Sequence, residues 1–588
     1  MNKSHYLQSH WRFHSIGALF FLMGVAVFVQ LVRIQLSPQA DVFRKQGDLY
    51  AGTWRTVYPP RGQIYDRWGN LLAGNKIVYQ IGVELNHVTD PEGIAFAMMA
   101  VLDEDYENML AIASQEPSPT AVFAVLTDFV PPEKVLQLQQ LAQQVGQPDD
   151  ANPSIRSLEG LVYIPHLQRS YPERDLAANV LGFVSMEGRG YFGVEEKYNQ
   201  LLAGAPEEVW VPQDPYQVAT ITDIPPGASL ILTIDREIQS MVEEILDQAV
   251  EENGAEAGTI AIMDPNNGEI LAMATTPRLD LNEYWKYSQI IEGSTPFNPA
   301  VSKAYEPGSV FKIFTMAAAL DAGAVEPDTP FLDTGQIEIG GAIIRNWNGG
   351  AWGPQDMVTC LQYSLNVCLA WVAQQLGPKD FYAYMLDFGF GHTTGVDIAG
   401  EVTGRLKTPG DPDWYPADLG TNSFGQGVSV TPTQMLMAAS ALANEGRMMT
   451  PHILRALVDN GTQYETPPQL SKVVLSAETA RTITLMLARS LENEASAALV
   501  PGYRLAGKTG TAEIPTPYGY TSSATNASFV GWGPVDDPQF IVYVWFEKPT
   551  SSPWGSEVAA PVFRDVVERL VMYLNIPPDN PQSASLGR

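Results

Sequence analysis

With only two cysteines in 588 residues, Cys360 and Cys368, the chain has no room for a disulfide-stapled architecture, and two thiols cannot build a structural zinc site. Both fall in an apolar run that reads as one helix. Eight positions apart on one helix they stand too far from each other to bond, so they are expected as two small core residues. Seven histidines are scattered and form no Cys/His cluster, so neither a metal nor another cofactor is expected. Basic residues are scarce: 35 Lys and Arg face 66 Asp and Glu, a formal net charge of −31. No basic excess exists to neutralise phosphates, which argues against a nucleic-acid partner and leaves acidity as a solubility device.

A charge-free run long enough to cross a bilayer lies at the N-terminus, in the 18 residues from 15 to 32. No small-x-small cleavage site follows it; Ser37-Pro38 comes instead, so an uncleaved anchor over 16–32 is expected after a leader of residues 1–15. Lys3 and Arg12 precede the span while Arg33, Arg44 and Lys45 follow it, and that balance leaves the orientation open.

At 588 residues, 45% apolar and 10% aromatic, the chain exceeds one ordinary core, and two or three domains are expected. Residues 58–73 alternate turn and apolar residues around Gly69-Asn70, the pattern of a structural hairpin. Residues 88–155 hold helical patches such as 132–141 between Pro- and Asp-rich loops, as an inserted head would. A junction at Pro225-Pro226-Gly227 precedes Asp235, the expected cap of a helix with Ile238, Val242, Ile245, Leu246 and Ala249 on one face. Apolar runs 258–263 and 269–274 around Asp264-Pro265-Asn266-Asn267-Gly268 predict a hairpin inside a sheet. Further strands over 527–532 and 540–546 and a closing helix over 558–574 give an α+β class: an antiparallel sheet with helices on both faces.

The chemistry is carried by three separated motifs. Tyr305-Glu306-Pro307-Gly308-Ser309-Val310-Phe311-Lys312 runs into a stretch apolar on every face, so Ser309 sits at the mouth of a buried helix with Lys312 one turn on. Serine is a poor nucleophile until a base takes its proton, and a lysine is such a base only if burial or another cation lowers its pKa. Alone, Ser-x-x-Lys is a frequent coincidence. Ser364-Leu365-Asn366 and Lys508-Thr509-Gly510-Thr511-Ala512 follow in the order and spacing that make three coincidences improbable.

With these motifs the sequence resembles the class B penicillin-binding proteins, membrane-anchored D,D-transpeptidases of peptidoglycan synthesis. The likeness runs from the anchor through Arg61-Gly62-Gln63-Ile64-Tyr65-Asp66-Arg67 and Gly190-Tyr191-Phe192-Gly193-Val194-Glu195 to Ser423-Phe424-Gly425-Gln426-Gly427 and the closing helix; Trp68 stands where many members carry Asn. Charges in the first two stretches are expected to be structural. Gly425-Gln426-Gly427 lacks the Gly-Lys-Ser/Thr of a phosphate loop and is expected to serve packing.

The resemblance implies an elongated pedestal or dimerisation domain over 33–224 with its head at 88–155, a transpeptidase domain over 225–575 with the fold shared by serine β-lactamases, and a disordered tail over 576–588. It implies Ser309 as nucleophile, Lys312 as base with its pKa lowered by Lys508, Ser364 as proton carrier and Asn366 as the amide that holds Lys312 and substrate. Thr509, Gly510 and Thr511 would bind substrate, with the N–H groups of Ser309 and Thr511 as oxyanion hole. Implied partners are peptidoglycan stem peptides on lipid-linked nascent glycan, β-lactams and a SEDS-type glycosyltransferase. The implied location is the inner membrane, with the catalytic domain extracytoplasmic, and an elongation role is preferred to a division role. The rival readings are a D,D-carboxypeptidase or penicillin-hydrolysing enzyme, a β-lactam sensor, and a catalytically dispensable scaffold. No glycosyltransferase-sized segment stands between anchor and pedestal, against a bifunctional enzyme.

Overall fold

A computed structural model describes residues 7–37, 52–118, 121–145, 155–212, 224–291, 297–494, 496–516 and 519–579. Most of the tail expected at 576–588, and the first six residues of the leader, lie outside the described residues. The chain forms two compact units, Met1–Pro59 with Ala205–Pro225, and Pro60–Gly204 with Pro226–Arg588.

The first unit contains the helix Leu7–Gln35 and an antiparallel ladder between strands Gly52–Val57 and Glu207–Pro212. The helix extends past the expected 16–32 at both ends. Its stretch Trp11–Gln35 is long and apolar enough to cross a membrane, and its side chains are uncovered, Phe20 being 67% and Phe28 66% exposed. That length, that apolarity and those exposed side chains are what a membrane span requires.

The second unit is built on a five-stranded antiparallel sheet. Its strands are β1 (Ala257–Met263), β2 (Ile270–Thr275), β3 (Ala506–Thr516), β4 (Gly519–Gly533) and β5 (Phe540–Glu547), in the order β2-β1-β5-β4-β3. Side chains two apart share a face. Ile260, Ile262, Val542 and Val544 pack on one side with α1 (Arg236–Asn253) and α6 (Gly555–Tyr573). Ala261, Met263, Tyr543 and Trp545 pack on the other, in the core that includes α2 (Lys312–Asp321) and α5 (Pro432–Ala443). Both faces are covered, so the strands read as continuous apolar runs, and the expected sheet with helices on both faces is present.

Local signals account for the element ends. Asp235 caps α1, its Oδ1 accepting from the N–H groups of Glu237 and Ile238 at 3.0 and 3.2 Å. Between β1 and β2, Gly268 has a φ of +85°, and an added Cβ would stand 2.3 Å from the Thr450 carbonyl oxygen, so only glycine fits. The 58–73 hairpin pairs Ile64–Tyr65 with Leu71–Glu84, its turn held by Asp66, which accepts from the N–H groups of Trp68 and Asn70.

A second, mixed sheet joins the two stretches of this unit. Ile64–Tyr65 runs parallel to Ser229–Leu232, which in turn pairs with Leu454–Asp459. Leu71–Glu84 continues outward to Phe123–Val130 and Leu161–Ser170. Helices Pro91–Leu102, Tyr106–Ala113 and Pro132–Gln144 close a small separate core there, around Ile81, Ile94, Met98 and Leu138.

The cysteines depart from expectation. Cys360 and Cys368 are joined by a disulfide with Cα atoms 6.1 Å apart. The apolar run is not one helix, because α3 (Met357–Gln362) stops at Tyr363 and α4 (Asn366–Leu376) starts afresh. Ser364 takes a φ of +53°, its N–H donates to the Leu361 carbonyl and that of Leu365 to the Cys360 carbonyl, which together form a Schellman ending. Residues eight apart on an unbroken helix would stand about 12 Å from each other; the turn halves that.

Candidate active site

Ser309 is placed by a chain of close approaches. Gly308, with a φ of +59°, donates its N–H to the Gly425 carbonyl at 3.0 Å. An added Cβ on Gly308 would lie 2.5 Å from the Thr511 carbonyl oxygen, and one on Gly425 2.2 Å from the Gly308 oxygen. Packing is thus what Gly425 does, as expected from its sequence. Gly308–Phe311 forms a 3₁₀ turn that feeds α2 at Lys312. Three residues per turn put Ser309 and Lys312 on the same side, with the serine half-buried and the lysine fully buried.

Lys312 Nζ meets three oxygens: as the ammonium it donates to all three, and as the neutral amine to two of them, which leaves a lone pair to accept a proton. Its Nζ donates to the Ser364 carbonyl at 2.5 Å, to Ser364 Oγ at 3.0 Å and to Asn366 Oδ1 at 2.8 Å. Asn366 is oriented in turn, since its Nδ2 donates to the Arg345 carbonyl at 3.2 Å and so leaves Oδ1 for the amine. Burial pushes the Lys312 pKa well below the ordinary lysine range, and the charge of Lys508 pushes it the same way.

Lys508 enters from β3, the edge strand of the sheet, with 5% of its surface exposed. Its Nζ donates to the hydroxyl and carbonyl oxygens of Thr509, both at 3.3 Å. A Cβ on Gly510 would meet Ser528 Oγ at 2.4 Å and Val310 Cγ1 at 2.9 Å, so β3 lies directly against the Ser309 turn. Thr511 Oγ1 accepts from the Gly555 N–H at 3.0 Å, tying the strand to the start of α6. Because β4 pairs with only one side of β3, alternate backbone groups of 508–512 face the turn instead. The expected site residues, Ser309, Lys312, Ser364, Asn366, Lys508, Thr509, Gly510 and Thr511, are therefore brought together where Lys312 meets 364–366 and β3 passes the Ser309 turn.

Three features carried no usable sequence signal. The disulfide brackets Ser364 and Asn366. The ring of Trp347, whose Nε1 donates to the Tyr363 carbonyl at 3.2 Å, meets that of Trp554, next to Gly555, at 5.5 Å between centroids. The Arg345 carbonyl that orients Asn366 is the third; a backbone oxygen has no side-chain identity to read.

The chain is similar to known proteins. Residues 258–568 match the family model described as "Penicillin binding protein transpeptidase domain", and residues 56–218 the one described as "Penicillin-binding Protein dimerisation domain". Stage V sporulation protein D of Bacillus subtilis is 32% identical over 95% of this chain and 85% of its own length. A probable peptidoglycan D,D-transpeptidase, PbpC of Pseudomonas aeruginosa, is 29% identical over 98% of this chain and 97% of its own. Among solved structures, penicillin-binding protein 3 of Mycobacterium tuberculosis in complex with aztreonam superposes with a TM-score of 0.68 at 25% identity, covering 90% of this chain and 99% of that one.

Proposed function

The chain belongs to the penicillin-binding protein transpeptidase family, and from that membership we propose how its residues divide the work. It is a serine-type peptidoglycan D,D-transpeptidase. In the proposed reaction Ser309 Oγ attacks the carbonyl carbon of the penultimate D-Ala of a stem peptide while neutral Lys312 takes the hydroxyl proton. The N–H groups of Ser309 and Thr511 hold the oxyanion. The C–N bond to the terminal D-Ala breaks, Ser364 relays the proton to the leaving amine, and an ester to Ser309 remains. An amine from a neighbouring stem then attacks the ester, forming the cross-link and returning the proton to Ser309. Asn366 steadies Lys312 and the substrate amide, while Lys508, Thr509 and Thr511 take the substrate carboxylate, with Gly510 giving it backbone access.

The observation that carries this reading is a lysine with no exposed surface, its pKa pushed down, bonded to Ser364 and Asn366 one 3₁₀ turn from a half-buried serine. β-Lactams, which resemble D-Ala-D-Ala, are proposed to acylate Ser309. Wild-type protein should take up a fluorescent penicillin and Ser309→Ala should not; equal labelling of the two would sink the assignment. Acylation also excludes a catalytically inert scaffold, and a product that depends on added acceptor amine separates transpeptidation from carboxypeptidase or hydrolytic action.

The wider setting follows as part of the same proposal. Residues 33–224 act as pedestal with a head at 88–155 and 225–575 as catalytic domain, on the extracytoplasmic side of a single span in the inner membrane. The Cys360–Cys368 bond supports that side, since such bonds persist in oxidising compartments. Lipid-linked nascent glycan reaches the site from a SEDS-type polymerase that the anchor and pedestal would dock, to be sought by co-purification in detergent. Elongation is carried as the working role. Depletion in the host decides it: rounded cells agree, and filaments assign the chain to division.

A further inference from the structure

Between Cys360 and Cys368 lie seven residues, two of which, Ser364 and Asn366, bond to Lys312. We infer that this disulfide is a positioning element of the catalytic site, locking the α3–α4 turn in the shape that presents Ser364 and Asn366 together to Lys312. The inference rests on the reading of Ser309, Lys312, Ser364 and Asn366 given above and goes beyond it.

The competing state is a continuous helix. Residues 357–376 keep an apolar helical pattern through the break, with good helix formers on both sides. Were the helix unbroken, Ser364 and Asn366 would be separated by about 200° around its axis and only one could face Lys312. The break instead requires Ser364 at a φ of +53°, in a position that usually takes glycine. A non-glycine residue holds such a backbone state only when its surroundings over-determine it. Two backbone bonds and the Val367 N–H donating to Asn346 Oδ1 at 3.2 Å supply part of that. The sulfur bridge supplies a restraint that a straight helix cannot satisfy.

A cross-link closing a loop of about nine residues also stabilises the fold appreciably through the unfolded chain, so the positioning role is separated from general stapling by the rate and its pH profile and not by the melting temperature. Both cysteines are also fully buried in the main core, so the bridge acts from behind the site and touches no solvent-facing surface.

The test uses the full-length chain in detergent. The double variant Cys360→Ala/Cys368→Ala is compared with wild type for the second-order rate of acylation by a fluorescent penicillin across pH, well below the melting temperature of either. A displaced Ser364 and Asn366 should lower the rate about tenfold or more, and water reaching Lys312 should move the acid limb of the profile to higher pH. A lower melting temperature with wild-type rate and an unmoved limb would overturn the inference. Should that variant fail to fold, Cys360→Val/Cys368→Ala, which refills part of the buried volume without the bridge, gives the same readout, and an unchanged rate and limb in it overturn the inference equally. If intact wild type takes no penicillin, or Ser309→Ala takes as much, the site reading itself has failed. If those two behave as expected and only the cysteine comparison is flat, the fault lies with the disulfide alone.

Discussion

A lysine can accept a proton from an alcohol only in the fraction of time it is neutral, and for Lys312 burial and then the charge of Lys508 enlarge that fraction. Acylation should rise with pH as Lys312 loses its proton, and its lowered pKa keeps that limb on the acid side of an ordinary lysine. Replacing Lys508 by Ala removes the like charge, so the Lys312 pKa climbs part of the way back, fewer molecules are neutral at a given pH, and the limb moves to higher pH. A rate profile of penicillin acylation for Lys508→Ala checks this. If Lys508 served only to hold a carboxylate, the plateau would fall and the limb would stay in place.

Elements show what a pattern can and cannot carry. Asp235 as a helix cap and Gly268 as a hairpin turn were legible because each places its own chemistry at the required position, an acceptor for free N–H groups and a residue with no Cβ where the Thr450 carbonyl approaches. The three site motifs were legible as a set. The α3–α4 break was not, because apolar periodicity continues across it and hides a turn whose C′ residue is a serine where glycine would have announced it. The disulfide was missed for the same reason. Among the charges expected to be structural, Glu195, fully buried, lies between Arg61 and Arg169, with Arg61 also donating to Asn199 Oδ1 at 3.0 Å. This clamp ties the approach to the first hairpin, the Leu161–Ser170 strand and the helix Gly193–Lys197 to one another. Glu195→Gln leaves two enclosed guanidinium groups without their anion, and should cost about 3–5 kcal/mol of stability in denaturant unfolding. Penicillin labelling in the cold should persist, since no site residue touches the clamp; a variant that is fully stable would show the charges to be dispensable.

At the scale of the whole molecule, membrane attachment has two conceivable sources, and the magnitudes separate them. Electrostatic adhesion to an anionic lipid surface needs a basic excess, and a net charge of −31 works against it. Insertion needs an apolar helix longer than the hydrocarbon core of about 30 Å; the 25 residues Trp11–Gln35 reach about 37 Å at the usual helical rise. Every residue of the proposed site belongs to the other compact unit. Full-length protein should therefore stay in the membrane pellet through washes with high salt and with alkaline carbonate. A chain lacking residues 1–37 should appear in the detergent-free supernatant and take up penicillin at the wild-type rate. Release of the full-length chain by salt would reduce the helix to a peripheral contact, and a truncated chain that still sediments with membranes would place a second attachment elsewhere in the protein.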